Sequence, residues 1–543
     1  MRLIEVCDHG ILPNGEGNSE RLEALLSNSP DGATLRFQPG KYRFNKSVNI
    51  QNACDMTLKG ENTEFIFSGM ISGLCFKGCQ NMEISGITID WDRPPFSVGS
   101  ILENDGQRFV VRVFDDYPVC GDEPIEAFLE FEPHTGIPRY NGNDIYWDTQ
   151  EVTLLEDQTL EVVFKGKHEV APKGTLVVMR HNIYDLNSIE VEECTGFNIH
   201  DTNIYASPGM GLMAKNSEDF ALERLNIRVK PGSNRLISSN SDGLHFMNCA
   251  GDITIENCLF EGMGDDALNV HGFYMDVVSM VDEKTIIVAN RRGYNLLPRS
   301  GDTMEVSKAD TLIPFEELVI DLCGYCEEGI KIVFCEKLPQ GVMLGDLVAN
   351  ATRCAKLHVS NTTVRNKRCR GFLIETRDVL VENCTFENIS GGAILVFTEN
   401  MDFTEAIGTR NIRIKHNRLR NNNFGLGRMD ADITVTAFYD DYKLAPVGVH
   451  KDIVIEGNTI EDTCNGAIFI GSTEGASIVD NTIKNSCMEP SKAEIKACIR
   501  IVNSAHVDLG GNRIEEHEDG EVQGLSLVDS YAVSGDVELL KAH

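Results

Sequence analysis

Short apolar segments recur along the chain with one shape. An apolar residue is followed by two spacers, a position that is usually small or an amide, one spacer and another apolar residue. The shape fits ISGITI (84–89), IHDTNI (199–204), LERLNI (222–227), IENCLF (255–260) and VSNTTV (359–364). It returns in VENCTF (381–386), IKHNRL (414–419), IEGNTI (455–460) and LGGNRI (509–514). The fourth position repeats at 22 or 23 residues from Thr202 to Leu225, from Thr362 to Cys384 and from Asn458 to Asn481. Strands this short cannot bury their own faces, and a fixed period of this size indicates coils stacked into a solenoid. No amphipathic helical segments separate them, which argues against leucine-rich repeats and βαβ units. The pattern predicts an all-β chain, a right-handed parallel β-helix. Asn417, Asn458, Asn481 and Asn512 would form an inward ladder, each amide bonding the turns above and below. Cys258 and Cys384 would fill the same column as small hydrophobes.

The period breaks twice. Residues 95–183 and 273–352 read as short alternating strands with turns, which predicts two small antiparallel β domains, barrel-like, inserted in the helix wall. The helix then comprises residues 1–94 (a cap and the first turns), 184–272, and 353–543 (the last turns and a closing cap). Near the start, Asn18 or Ser19 is placed to N-cap an amphipathic helix carrying Leu22, Leu25 and Leu26. Such a cap hides the open end of a solenoid core.

Composition narrows the function classes. The 543 residues carry a formal charge of −34, which repels phosphate backbones and anionic membranes and argues against a nucleic-acid partner. No apolar run reaches the length of a membrane span. Seventeen cysteines without framework spacing, and an opening MRLIEVCDHG without a basic or apolar leader region, predict a reducing, cytoplasmic setting. A secreted or periplasmic protein whose signal had been removed would read the same way. Cys323 and Cys326 have CxxC spacing, but no second pair accompanies them, so no metal and no cofactor is expected.

The chemistry concentrates in SDGLHF (241–246) and GDDALNVHG (264–272). Aligning the apolar pairs Leu244/Phe246 and Leu268/Val270 sets Asp242 beside Asp266 and Ser241 beside Asp265. Aligned residues on successive coils lie about 4.8 Å apart, so three carboxyls gather on one patch of a rigid wall. Like charges that close cannot all ionise, so one carboxyl must hold its proton at higher pH. A proton-bearing acid beside an ionised carboxylate is what glycosidic hydrolysis requires. The next coil in register contributes Arg370, with Glu375 aligned to His271. His245 and Asn269 share a column. These five side chains suit sugar hydroxyls. Trp91 and Trp147 are aromatic candidates, Trp91 more for packing and Trp147 equally for packing and as a sugar platform.

The order SDG, GDD and HG resembles the NTD, DD and HG motifs of polygalacturonases, which are inverting hydrolases. A longer match runs through ISGITIDWDRPPFSVG, SDGLHF and GMGDDALNVHG, together with two inserted β domains. It resembles glycoside hydrolase family 110, the bacterial exo-α-1,3-galactosidases, over nearly the whole chain. That resemblance implies release of terminal α-1,3-linked galactose from branched blood-group-B-like or linear glycans, with inversion and without a cofactor. It places the catalytic acids on Asp242, Asp265 and Asp266. By analogy with polygalacturonases, Asp265 would protonate the leaving oxygen while Asp242 and Asp266 hold the attacking water. The partner implied is a galactose-terminated oligosaccharide; a homo-oligomer is compatible with the sequence. Two other functions use this fold: a polysaccharide lyase or epimerase, and a non-catalytic β-helical glycan-binding protein. A lyase wants a basic groove where only Arg370 is offered, and a spike-like binder wants long uninterrupted coils.

Overall fold

A computed structural model describes residues 2–294, 296–426, 429–488, 496–515 and 522–540. The chain is a right-handed parallel β-helix. Among the described residues its walls are a 21-stranded and a 13-stranded sheet, built by strands from successive coils. Side-chain columns follow the register. Leu212 pairs with Leu244, Leu244 with Leu268, Leu268 with Phe372 and Phe372 with Ile394, all fully buried. A one-residue slip would turn this whole apolar set outward, so the register is strongly specified.

The inward amide ladder is present. Asn458 Oδ1 accepts from the backbone N–H and side-chain amide of Asn417 at 2.9 and 3.0 Å. Asn481 and Asn512 repeat the arrangement. The column continues upward through Cys384, Thr362 and Cys258, where the backbone N–H of Cys384 donates to Asn417 and that of Cys258 to Thr362. Burial pushes the Cys258 and Cys384 thiols up to about 12, so they pack as small hydrophobes rather than react.

Coils on either side of each inserted segment pair directly. Ile84 pairs with Ile199, and Ile255 with Val359. Between the first two, the strands from Phe96–Asn104 to Leu176–Arg180 form a seven-stranded antiparallel sheet. Among the described residues no ladder joins its edges, but the two edge strands, Asp144–Tyr146 and Thr149–Glu156, are linked by only two residues, so the sheet curls round on itself and is barrel-like as expected. Phe109, Phe128 and Phe164 pack on one another inside it, with ring centres 5.3–5.4 Å apart, and its apolar residues join one continuous core with the helix. The second segment is a closed barrel of six strands, from Met275–Asp282 to Leu347–Asn350, with a core of its own.

The cap differs from expectation in its first turn. The helix runs Asn18–Asn28 and buries Leu22, Leu25 and Leu26, but the capping position is Gly17, in the left-handed region at φ 70°. Asn18 instead bonds Leu12, Gly15 and Arg43, and the Ser19 hydroxyl donates to the Lys46 carbonyl. Both are fully buried between the helix and the first coils, where unpaired backbone groups need them more than the helix end does. At the other end, strands Gln523–Val528 and Tyr531–Leu540 extend the two sheets by one coil, while residues 516–521 and 541–543 lie outside the described residues. No helix among the described residues is long and apolar enough to cross a membrane.

Candidate active site

Three turns stacked on one wall make the site. Each precedes a strand of the same column: Leu244–Met247, Leu268–Phe273 and Phe372–Glu375. The register puts Asp242, Asp266 and Arg370 in one file, two residues before each strand. The Gly243 N–H donates to the Asp266 carbonyl, and the Asp266 N–H donates to Asp242 Oδ1 at 3.0 Å. Gly264 is required where it stands. A Cβ there would meet the Asn240 carbonyl at 2.4 Å and the Arg180 guanidinium at 2.6 Å.

Asp242, Asp265, Asp266, His245, Asn269, His271 and Arg370 all line one cavity of about 480 Å³. Glu375 does not reach it. That side chain is fully buried behind His271, with no hydrogen-bond partner on either oxygen, and burial together with Glu405 and Glu399 keeps its proton on well above the usual carboxyl range. Trp147 lies outside the cavity beside Tyr184, which does line it. Trp91 packs in the core against Phe67.

Hydrogen-bond directions locate a proton. His271 Nδ1 lies 2.7 Å from the Gly272 carbonyl, so that nitrogen carries hydrogen. Burial lowers the pKa of both His271 and His245, which keeps the rings neutral. His271 Nε2 is therefore bare and accepts from His245 Nε2 at 2.9 Å. That leaves His245 Nδ1 bare, facing Asp242 Oδ2 at 2.6 Å. The contact needs a hydrogen, and only Asp242 can supply it. The same conclusion follows from electrostatics: burial, then the charges of Asp265 and Asp266, raise the Asp242 carboxyl well above its ordinary range.

The other two acids are held as anions. Burial alone would raise Asp265, but Arg368, Arg370 and Arg180 outweigh it and bring it down to about 2. Arg368 lies 3.0 Å from Asp265 Oδ1, and the Tyr184 hydroxyl donates to Oδ2 at 3.1 Å. Asp266 is gripped by Arg370 through two contacts of 2.8 Å, the fork geometry that suits a carboxylate. Burial and the neighbouring charges thus favour the proton on Asp242 in the resting site, whereas the polygalacturonase analogy gives the acid role to Asp265.

Both inserted domains hold the site. Arg180, fully buried at the end of the first sheet, donates to the carbonyls of Asn240 and Gly264 at 2.5 and 3.0 Å, just ahead of the acids. Its guanidinium and that of Arg368 both lie over the Tyr146 ring, at 4.6 and 4.8 Å. On the opposite side, Glu399 accepts backbone N–H groups of Met401, Asp402 and Phe403, shaping the loop that lines the far wall. Asn290 and Asn400 tie that loop to the barrel side. Arg180, Arg368, Tyr184 and this loop are absent from the sequence reading. Arg180 does carry a signal, a charge closing the apolar run TLVVM, and Arg368 sits in the same turn as Arg370.

Two groups near the cavity carry metal-ligand types, Asp265–Asp266–Cys369 and His271–Glu375–Glu405. In the first, both carboxylates already pair with arginines; in the second, His271 Nε2 faces His245. A metal would have to displace those contacts.

A family model described as a right handed beta helix region matches residues 347–514. The chain is 27% identical to alpha-1,3-galactosidase B of Phocaeicola vulgatus over 89% of its own length and 92% of the relative's. It is 23% identical to alpha-1,3-galactosidase B of Bacteroides thetaiotaomicron, over 99% and 95% of the two chains. Alpha-1,3-galactosidase A of Bacteroides fragilis is 24% identical over 88% and 80%. Among solved structures, a family 28 exopolygalacturonase of Yersinia enterocolitica superposes with a TM-score of 0.50 at 11% identity, over 99% of this chain and 79% of that one, a likeness of fold alone.

Proposed function

We propose that this β-helix protein is a glycosidase that releases terminal α-1,3-linked galactose from a glycan with inversion at the anomeric carbon. One observation carries the reading: three carboxyls meet in one cavity, with the proton on Asp242 and the negative charge on Asp265 and Asp266. Glycoside hydrolysis needs that pairing of a proton donor for the leaving oxygen with an anion that draws a proton from water. Asp242 supplies the acid, and the Asp265 carboxylate, aligned by Arg368 on Oδ1 and Tyr184 on Oδ2, orients the water and takes its proton. Asp266, locked to Arg370, fixes the turn and the local field. The choice of sugar and linkage rests on the names of the relatives and on the extent of the match.

Proton NMR of the full-length protein acting on α-1,3-galactobiose tests the reading directly. β-Galactose is expected as the first signal, before mutarotation. Appearance of α-galactose first would sink the inverting mechanism, and release of no galactose would sink the substrate.

The pH dependence follows from the same charges. Asp242 has a raised pKa, so its proton is present at lower pH and lost as pH rises through that value; kcat/KM should fall on the alkaline side. Asp265, held at about 2, stays ionised through the neutral and mildly acidic range and sets no limb there. A pH–rate profile that falls toward mild acid while staying flat in alkali would contradict the assignment.

A further inference from the structure

The chain has two tryptophans, Trp91, which is 1% exposed in the core, and Trp147, which is 59% exposed. Trp147 does not stand alone, since it contacts Tyr184, another exposed aromatic, and contiguous exposed aromatics beside a cavity mark binding surfaces. The Trp147 backbone adds to the question. Its φ is +49°, a left-handed conformation that a bulky residue rarely adopts. Such conformations persist where surrounding contacts enforce them, and they cluster at ligand-binding positions. Here the contacts are visible. The Trp147 N–H donates to the Glu126 carbonyl, and its own carbonyl accepts from Lys165. The next residue, Asp148, accepts from the Gly166 N–H and bonds His168.

These restraints hold the ring beside Tyr184, a residue of the cavity wall. Trp147 contacts Tyr184 with ring centres 6.2 Å apart, and Tyr184 in turn donates to Asp265 from the cavity wall. Tyr146 backs the indole on its other flank at 5.3 Å. An aromatic path therefore leads from Asp265 on the cavity wall out to solvent. Exposed indole faces suit ligands that have an apolar side and a hydroxylated rim, which describes a pyranose ring.

We propose that Trp147 is the platform of an outer subsite that stacks the glycan's sugars beyond the one joined to the cleaved bond. The inference rests on the galactoside reading and extends it, because it makes this protein a reader of oligosaccharide length. Binding energy gathered there, away from the reacting centre, favours longer glycans over disaccharides.

The tryptophan count makes the test direct, since acrylamide reaches Trp147 and not Trp91. In full-length Asp265→Asn, which should bind without turning over, acrylamide quenching is measured with and without saturating ligand, saturation being set by calorimetry. The two ligands are α-1,3-galactobiose and a linear tetrasaccharide ending in α-1,3-galactose. The tetrasaccharide is expected to lower the quenching constant at least threefold, and the disaccharide to lower it far less. In parallel, Trp147→Ala should reduce the tetrasaccharide's affinity advantage over the disaccharide about tenfold, with Trp147→Phe restoring most of it. If both ligands bind and quenching is unchanged, the subsite is overturned while the galactosidase reading stands. If neither binds to this variant or to Asp242→Asn, the galactoside reading falls and the subsite falls with it.

Discussion

Asp265→Asn is expected to lower kcat on α-1,3-galactobiose by about 10²- to 10⁴-fold, the range that general acid–base groups contribute. The exchange keeps the size of the side chain and removes its charge. Arg368 retains Asp144 at 2.7 Å and the Tyr184 hydroxyl can turn to the new amide, so the fold should survive, as an unchanged melting curve would show. Asp242→Asn should cost a similar factor for a different reason, because an amide has no acidic proton to give the leaving oxygen. The two variants part company on an aryl α-galactoside with a good leaving group, which needs little protonation. There Asp242→Asn should regain most of its activity and lose the alkaline fall of the profile, while Asp265→Asn stays silent until azide replaces the activated water. Recovery of Asp265→Asn instead would make Asp265 the acid, as the polygalacturonase analogy implies, with the proton moving to it from Asp242 once substrate is bound.

That disagreement marks where the sequence stops being informative. Asp242 and Asp266 could be set side by side from residues alone because the buried file from Leu244 to Leu268 and Phe372 fixes the coil register. The same logic placed Arg370 correctly in line with them and set Glu375 next to His271. Periodicity says which residues are neighbours but not how their hydrogen bonds run, and the location of the proton depends on the Gly272 carbonyl orienting His271. Nor does it say how far a column stays open to solvent: Glu375 is in register yet sealed behind the wall. Arg180 and Tyr184 escaped for another reason. Arg180 arrives from the first inserted segment and Tyr184 from the link that follows it, and the docking of that segment on the helix is set by side-chain packing and not by the 23-residue period.

The inward column yields the largest expected effect on stability. Asn458→Ala removes the acceptor of the Asn417 backbone N–H and side-chain amide, and the donor to the Ile414 carbonyl and to Asn481. All of these lie in the dry interior, where each unsatisfied polar group costs about 1–3 kcal/mol, so a loss of about 3–5 kcal/mol is expected. Urea unfolding followed by far-ultraviolet circular dichroism measures it. The chain itself supplies the control. At the corresponding position on an earlier coil, Thr362 Oγ1 accepts the Cys258 N–H at 3.3 Å, so a hydroxyl can satisfy the backbone donor without an amide. Asn458→Thr should therefore cost about half as much as the alanine variant, the remaining loss coming from the missing donor. Equal costs for the two would mean that a hydroxyl of similar volume cannot stand in for the amide, and that the ladder depends on the amide's paired donor and acceptor. Activity should follow neither change while the protein is folded, because this column and the catalytic turns belong to different walls of the helix, the acids flanking the strands from Leu244–Met247 to Phe372–Glu375 and the amides those from Arg410–Lys415 to Ala505–Glu515.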